Sequence, residues 1–305
     1  MGATFGGLVA EVTGRIMGPI LVIGRSDDRL CQLVIDELHR RNRAAYFLKE
    51  DQLLPGLRID WEPERSAGRI GQDDWEVPLE DLSGVLCRSY GVPVSPEDFA
   101  TKDGQYVSAE WFALVMSLLH HTEAPVINRL QPALWYKLKL SPVELATLAP
   151  KNGFKLPPSM VTTRPTDVRT FCAQHAAVYS PLAQAARFPL QTTQEVDQLL
   201  ELGETLPFQL SETIDGDEMH AVVIGHDVFT ITSQGIVEET ADPDLRDRCL
   251  ELGEILGLSL FELELRRRNE EWYCLGLDRS PAFYEFSEHA QTQIASRVAR
   301  VLEEP

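Results

Sequence analysis

The chain has 305 residues, a formal net charge of −19 and a hydrophobic fraction of 44%. Its length allows two or three domains, and no apolar run reaches the ~18 residues of a membrane span. The excess of carboxylates disfavours nucleic acid and anionic membranes as partners, and it leaves either a basic peptide or protein partner or a charge that serves only solubility.

Residues 19–48 predict a strand, a helix and a second strand of one parallel sheet. The first strand, "PILVIG", is a continuous apolar run, which is typical of a strand buried on both faces. Asp27 or Asp28 caps the helix, and "AAYFLK" forms the second strand. The residues before this unit contain no basic segment and no small-residue cleavage site, so they do not predict a signal peptide.

Residues 54–90 predict a meander of short strands, "LRIDWEP", "AGRIG", "DWEVPL" and "GVLCRSY", interrupted by Gly, Pro and Asp. A helix over 108–121 with Ser108 as its cap follows, and then a buried strand, "APVINR". The segment "SPVELATLAPKNGF" predicts a helix that ends at Asn152 and Gly153, where Gly adopts the left-handed conformation.

Strands and helices continue to the end of the chain. "MVTT", "AAVYSPL", "FQLSETI", "EMHAVVIG", "DVFTITSQ", "SLFELELRRR" and "EWYCLGLD" predict strands. "TDVRTFCAQH", "TQEVDQLLELG" and "DLRDRCLELGEILGL" predict helices, and Ser287 caps a final one.

Common catalytic and metal-binding motifs are missing from the sequence. It contains no GxxxxGK[ST], GxGxxG, HExxH or GxSxG, and the seven histidines do not cluster at ligand spacing. The five cysteines are scattered and form no CxxC pair. They therefore predict reduced core residues of a cytoplasmic protein and no zinc site.

Five longer segments occur in a characteristic order: "VLCRSYGVPVSPEDF", "SAEWFALVMSLLHHTEAPVINR", "NGFKLPPSMVTT", "SETIDGDEMHAVVIGHDVF" and "LDRSPAFYEF". This order resembles the ATP-grasp superfamily. Within it, the chain is similar to ribosomal-protein glutamate ligases and, more closely, to the peptide ligases that make graspetides. The resemblance implies an α/β (α+β) fold with a βαβ pre-ATP-grasp domain over 1–125, a central subdomain over 126–205 and a C-terminal antiparallel-sheet subdomain over 206–305.

The resemblance also implies a chemistry. ATP would phosphorylate a carboxylate, and an amine or hydroxyl would attack the acyl phosphate. In such ligases the nucleotide lies between two sheets, where two lysines and a Gly-rich loop hold the phosphates, and a carboxylate pair with an asparagine binds magnesium. A polyanion that gains charge at its transferring phosphoryl group requires these cations and backbone N–H groups.

The phosphate-binding positions implied by the resemblance have lost their charge. Ser141 or Pro142 stands where the first lysine is expected, with Lys139 close by as the residue that serves if the alignment shifts by one turn, and Ser180 stands where the second lysine is expected. The covering loop, "AQAARFPLQ", contains no glycine, and Arg187 is its only cation. A serine hydroxyl is neutral and short, so it does not replace an ammonium group.

The adenine hinge and the next strand match the family only in part. The sequence Ser211-Glu212-Thr213-Ile214 keeps Glu212 and Ile214 of the expected Gln-Glu-aromatic-Ile pattern. His220 stands at the position of an expected arginine, and a histidine is mostly neutral at pH 7 unless its surroundings raise its pKa.

The magnesium ligands implied by the resemblance are Glu264 in "FELEL" and Asp278 in "LDRSP", while Ser280 replaces the asparagine. Carboxylate oxygens suit a hard cation such as Mg²⁺. The alternative is that Glu264 is simply an outward position of an alternating strand and that Asp278 begins a turn.

Two basic features have two interpretations each. Arg88 lies where relatives that ligate peptides carry basic residues for the substrate, but it equally fits a strand-end arginine paired with a local carboxylate. The run 266–268 contains three arginines that either face a phosphate or form a solvated hairpin tip before "NEE".

These substitutions predict an ATP-grasp protein with a degenerate nucleotide site. The favoured function is a non-catalytic or weakly active binding or regulatory partner in peptide or protein modification, with an intact ATP-grasp ligase as one such partner. The alternative is an active carboxylate–amine ligase with relocated cations. ATP and Mg²⁺ are its cofactors if the site works, and otherwise there are none. The sequence is also compatible with a homo-oligomer.

Overall fold

The structure is a computed structural model. It describes residues 18–52, 56–65, 67–88, 97, 100–129, 139–182, 186–201, 207–232, 237–239, 242–281, 283–284 and 286–304. The predictions made for the first 17 residues and for part of the covering loop lie outside these ranges. Among the described helices, none combines the length and the apolar character that crossing a bilayer requires.

The described elements alternate along the chain as an α/β protein, which confirms the predicted fold class. The strands are β1 (Ile20–Gly24), β2 (Ala45–Lys49), β3 (Leu57–Glu62), β4 (Ala67–Gln72), β5 (Trp75–Pro78), β6 (Gly84–Cys87), β7 (Val126–Ile127), β8 (Lys139–Leu140), β9 (Ser159–Thr162), β10 (Ala177–Ser180), β11 (Phe188–Leu190), β12 (Phe208–Glu212), β13 (Asp217–Ile224), β14 (Asp227–Thr232), β15 (Val237–Glu239), β16 (Leu260–Arg268) and β17 (Glu271–Asp278). The helices are α1 (Arg29–Arg40), α2 (Lys102–His121), α3 (Pro142–Leu145), α4 (Pro165–Gln174), α5 (Thr193–Glu201), α6 (Pro243–Leu256) and α7 (Glu288–Glu303).

The N-terminal sheet is parallel, with the strand order β2-β1-β6-β7. Alternate residues of β1 enter two different cores: Ile20 and Val22 pack with α1 and α7, whereas Leu21 and Ile23 pack with α2. Both faces are therefore covered, which is why the strand has no polar residue. Asp28 caps α1 by accepting a hydrogen bond from the backbone of Cys31.

A separate antiparallel sheet, β3-β4-β5, corresponds to the first three strands of the predicted meander. The fourth, "GVLCRSY", was predicted in the same meander but supplies β6 of the parallel sheet, since it pairs with β1. The predicted start of the next helix is also wrong. Thr101 caps α2 by accepting from the backbone of Gly104, and Ser108 lies buried inside the helix.

The central sheet is antiparallel, with the order β11-β10-β12-β9, and α4 and α5 cover one face of it. The segment before it is less regular than predicted. The helix α3 spans a single turn, and a 3-10 turn follows at 149–152. Pro150 lies within that turn and has no N–H, so a continuous helix through 152 would lose the hydrogen bond to Ala146. Gly153 ends this segment with φ = 77°, the left-handed conformation predicted for it.

The C-terminal sheet has the order β15-β14-β13-β16-β17-β8 and is antiparallel. The helix α6 covers one face, and α7 covers one end of the other face together with Phe283. The remaining end of that second face is opposite the central sheet. The predicted domain boundaries remain predictions; β7 pairs with the N-terminal sheet, and β8 pairs with the C-terminal one.

Candidate functional site

A cleft of about 190 Å³ lies between the central sheet and the uncovered end of the C-terminal sheet. Several side chains named from the sequence line this cleft, although they are far apart along the chain. They are Lys139, Ser141, Ser180, Arg187, His220, Glu264 and Asp278. The fold therefore brings together residues from both subdomains.

Strand alternation builds the acidic floor of the cleft. Glu262 and Glu264 are two residues apart on β16, so their side chains share one face. His220 on β13 is directly opposite Glu264, and Asp278 on β17 is directly opposite Glu262. Directly opposite residues of an antiparallel pair point to the same face, so all four side chains meet there.

A β-bulge directs Asp278 into the cleft. Trp272 and Cys274 face the core beneath α6, and strict alternation would send Asp278 to that core as well. The pairing shifts between Glu264 and Leu265, which leaves Leu275 as an extra residue on β17. A bulge reverses the faces of the residues that follow it, and Asp278 lines the cleft as a result.

Each of the three acidic side chains on the floor is paired with a base. The ammonium group of Lys139 lies 3.2 Å from a carboxylate oxygen of Asp278.

The second pair joins the guanidinium of Arg187 to the Glu264 carboxylate. In the third, Nδ1 of His220 lies 2.6 Å from Oε1 of Glu262. Each of the three described carboxylates of the floor therefore contacts a basic side chain.

The surroundings of His220 raise the pKa of its imidazole. Its hydrogen bond to Glu262 raises the pKa of the imidazole; burial opposes this, and the negative charges of Glu262, Glu264 and Glu218 raise the pKa further. A raised pKa favours the protonated, cationic form of the imidazole relative to an isolated histidine.

Glu262 is the site residue that the sequence interpretation missed. The signal was present in "FELEL", where Glu262 and Glu264 share one strand face. The family pattern has one acid in this strand, and the resemblance assigned that position to Glu264 alone.

The opposite wall, on the side of the central sheet, supplies Arg187 and the hydroxyl groups of two serines. Ser180 ends β10, and Ser211 lies on the neighbouring β12. The Ser141 hydroxyl donates to Glu144 at 2.8 Å, and its backbone N–H donates to the same carboxylate at 2.7 Å. Ser141 is therefore occupied in capping α3.

Both predicted hinge residues lie outside the lining of this cleft. Ile214 is 3% exposed and packs inside the protein. Glu212 is 3.2 Å from Arg268 and 3.5 Å from His175. Arg268 also stacks over Tyr273, so this arginine of the 266–268 run joins the hairpin of β16 and β17 to the central sheet.

The other two arginines of that run have local partners. Arg266 pairs with Glu218, and Arg267 pairs with Glu270 and lies over the ring of Trp272. These two arginines lie on the β16–β17 hairpin and are paired with nearby carboxylates, which agrees with the interpretation of the run as a solvated hairpin tip.

The floor carboxylates have the right chemistry for Mg²⁺ but the wrong arrangement. Within the described residues, no group of three or more His, Cys, Asp or Glu side chains is placed to hold a metal ion. Ser280 is not in the cleft lining, and its backbone N–H donates to Asp278 at 2.8 Å. As arranged, these residues do not fit a metal, because one oxygen of each carboxylate contacts a basic side chain.

Arg88 lies at the end of β6 and is 4% exposed. Its Nε donates to Asp28 at 2.8 Å, and a terminal nitrogen donates to the carbonyl of Pro281 at 2.9 Å. The structure thus shows the pairing with a local carboxylate, and contact with a substrate stays a prediction.

Solved structures share this architecture over most of the chain. The macrocyclase MdnC bound with precursor peptide MdnA, from Microcystis aeruginosa MRC, has a TM-score of 0.74 at 18% identity, covering 93% of this chain and 99% of that one. The ATP-grasp ligase PsnB complexed with minimal precursor, Mg and ADP has a TM-score of 0.73 at 21% identity, covering 93% and 96%.

A more distant likeness is to a RimK domain protein ATP-grasp from Sphaerobacter thermophilus DSM 20745. Its TM-score is 0.59 at 15% identity, with 92% of this chain and 99% of that chain covered. No protein-family model matches the chain, and no curated protein matches it in sequence. What the chain shares with these structures is the fold.

Proposed function

We propose that this chain, which has the ATP-grasp fold, is a binding or regulatory component of peptide or protein modification with weak or no ligase activity of its own. The observation that carries the proposal is the pairing of charges in the cleft. Lys139, Arg187 and His220 each contact a carboxylate of the C-terminal sheet. The described cleft therefore offers a phosphate chain little uncompensated positive charge.

Electrostatics decides how such a cleft treats a triphosphate. Loss of one charged or hydrogen-bonding donor at a reacting group costs ~3 kcal/mol, or more than a hundredfold in rate. Ser141 and Ser180 supply hydroxyls at both positions where the family places lysines, and three carboxylates face the same space. Its volume of about 190 Å³ is also below the ~300–1,000 Å³ that is usual for small-molecule sites.

A peptide or protein partner is the second part of the proposal. Its support is that MdnC was solved bound with a precursor peptide and PsnB was solved with a minimal precursor. The partner proposed for this chain is such a peptide or an intact ATP-grasp ligase. A cytoplasmic location is proposed with it, and the five cysteines, all free thiols, support that location.

Calorimetric titration of the full chain with ATP and Mg²⁺, together with a phosphate-release assay, tests the first part. The expected result is a Kd near ~1 mM or weaker, equivalent to about 4 kcal/mol of binding free energy, without phosphate release. Micromolar binding with turnover would overturn it.

A second candidate is an active ligase with relocated cations, and one observation favours it. Lys139 and Arg187 do line the cleft, although neither occupies a family lysine position. This function requires the ion pairs Lys139–Asp278 and Arg187–Glu264 to break, so that the two bases can bind phosphate. Lys139→Ala and Asp278→Ala would then abolish phosphate release, and unchanged release in either variant would exclude it.

A further inference from the structure

The strand β9 lies at the edge of the central sheet. It pairs with β12 on one side, and no other strand of the described chain pairs with its second side. A groove of about 330 Å³ lies beside it. The opposite wall of the groove is formed by Val143 and Ala146 of the α3 segment.

The groove follows the open edge of β9. Three consecutive residues, Ser159, Met160 and Val161, line it. Consecutive side chains of a strand point to opposite faces of the sheet. A groove that contacts three consecutive residues must therefore run along the edge of the sheet, where both faces are accessible. The edge is also where unpaired backbone groups are presented.

The hydrogen-bond pattern identifies which backbone groups face the groove. The N–H of Glu212 donates to the carbonyl of Pro158 at 2.9 Å, which makes these two residues a hydrogen-bonded pair. Because such pairs alternate in an antiparallel ladder, Met160 also bonds to β12, and the N–H and C=O groups of Ser159 and Val161 point outward.

The residues that line and flank the groove indicate which kind of ligand would bind there. Leu156 and Pro157 extend the apolar wall, and the side chain of Val161 is 46% exposed. Lys155 and Arg164 lie beyond the two ends of β9 with side chains 55% and 77% exposed. Their ion pairs with neighbouring carboxylates are exposed and therefore weak, so they exchange readily.

We infer that β9 binds an extended peptide segment as an added strand, with apolar side chains at alternate positions and a carboxylate beside them. The outward backbone groups of Ser159 and Val161 would bind the segment's main chain, and the groove its side chains. Pro142 lines both the groove and the cleft, so a peptide on β9 would continue towards the cleft. The inference deepens the proposed role in peptide modification, on which it rests.

A peptide selection tests this site. Ten-residue peptides from a random display library are enriched on the full chain, and their affinities are measured by fluorescence anisotropy. Val161→Pro removes the outward N–H, and Ala146→Arg places a charge on the opposite wall without changing β9. Val161→Thr keeps both the N–H and the β-branched shape, and Ile255→Thr alters a remote residue that is 49% exposed.

The expected result is at least a ~10-fold loss of affinity for both Val161→Pro and Ala146→Arg, with the two control variants close to wild type. If the Val161→Pro variant fails to fold, the peptide affinity of the Ala146→Arg variant alone tests the inference. Failure to enrich peptides, or wild-type affinity in both groove variants, would overturn the inference. So would a wild-type dimer that Val161→Pro dissociates, because β9 would then pair with a second copy. The selection uses no nucleotide, so its failure is separate from failure of the ATP titration.

Discussion

The guanidinium of Arg187 contacts the carboxylate of Glu264, although the two residues are 77 positions apart in the chain. Arg187 directly precedes β11 of the central sheet, and Glu264 lies on the C-terminal sheet. The contact therefore spans the cleft and occupies an acid that the family resemblance assigns to magnesium.

Substitution Arg187→Gln is expected to raise the affinity of the cleft for a divalent cation by about tenfold. It removes the repulsion between the guanidinium and the incoming cation, and two charges about 4 Å apart near a protein surface interact by ~1–4 kcal/mol. The free energy of unfolding should change by less than ~1 kcal/mol, since both side chains are about a third exposed. Titration with Mn²⁺, followed by electron paramagnetic resonance, measures the affinity.

The matched control for this experiment is Arg297→Gln. Arg297 pairs with Asp227 outside the cleft, and these side chains are 28% and 30% exposed. Equal Mn²⁺ affinity in the wild type and the Arg187 variant would show that the pair does not limit cation binding.

Substitution Ser180→Lys is expected to restore a cation to the wall of the cleft. ATP should then bind about tenfold more tightly, since a hydrogen bond to a charged group contributes ~1.5–3 kcal/mol. Ser180→Met provides a long but neutral side chain as the control. Titration calorimetry measures both variants, and the same affinity in both would contradict the electrostatic explanation of weak binding.

Two buried asparagines are expected to differ sharply in their contribution to stability. The side chain of Asn128 accepts from the backbones of Ser259 and Leu260 and donates to the carbonyls of Leu260 and Arg279. Asn128→Ala would leave these groups unsatisfied and lower the free energy of unfolding by about 2–4 kcal/mol.

The polar atoms of the Asn152 side chain are buried without a partner. Asn152→Ala should therefore change stability by less than about 1 kcal/mol. Urea denaturation measures the free energy of unfolding of both variants and of the wild type. A similar decrease in both variants would show that the hydrogen bonds of Asn128 do not account for its contribution to stability.

Acid stability is expected to depend on Glu37. Hydrogen bonds from Arg40, and then from Arg41, lower the pKa of this carboxyl from 4.5 to about 2, and Arg41 also reaches Glu303 of α7. A lowered folded-state pKa stabilises the protein above pH 4.5, and this contribution is lost as the pH falls from 4.5 towards 2.

The expected contribution is about 1–2 kcal/mol at neutral pH, because exposure of Arg40 reduces the full linkage value. Urea unfolding from pH 2 to pH 7 measures it. The Glu37→Gln variant should lose this part of the pH dependence; an unchanged profile would assign acid sensitivity to other carboxyls.

Local patterns predicted most elements and the ATP-grasp fold, which is confirmed. The apolar run of β1, the Ser287 cap of α7 and the left-handed Gly153 all have the predicted conformations. Predictions were wrong where several residues compete for one role. Thr101 caps α2 in place of Ser108, and β6, the "GVLC" part of the fourth predicted strand, pairs with a distant strand that adjacent residues do not specify.

By itself the sequence determined which residue types are present, and the family resemblance drawn from it predicts serines where two ammonium groups are expected. Only the tertiary structure decided the charge balance of the cleft, because Lys139, Arg187 and His220 meet their carboxylates through strand pairing and a bulge at Leu275. Coulomb energy depends on distance in space, and separation along the chain does not specify that distance.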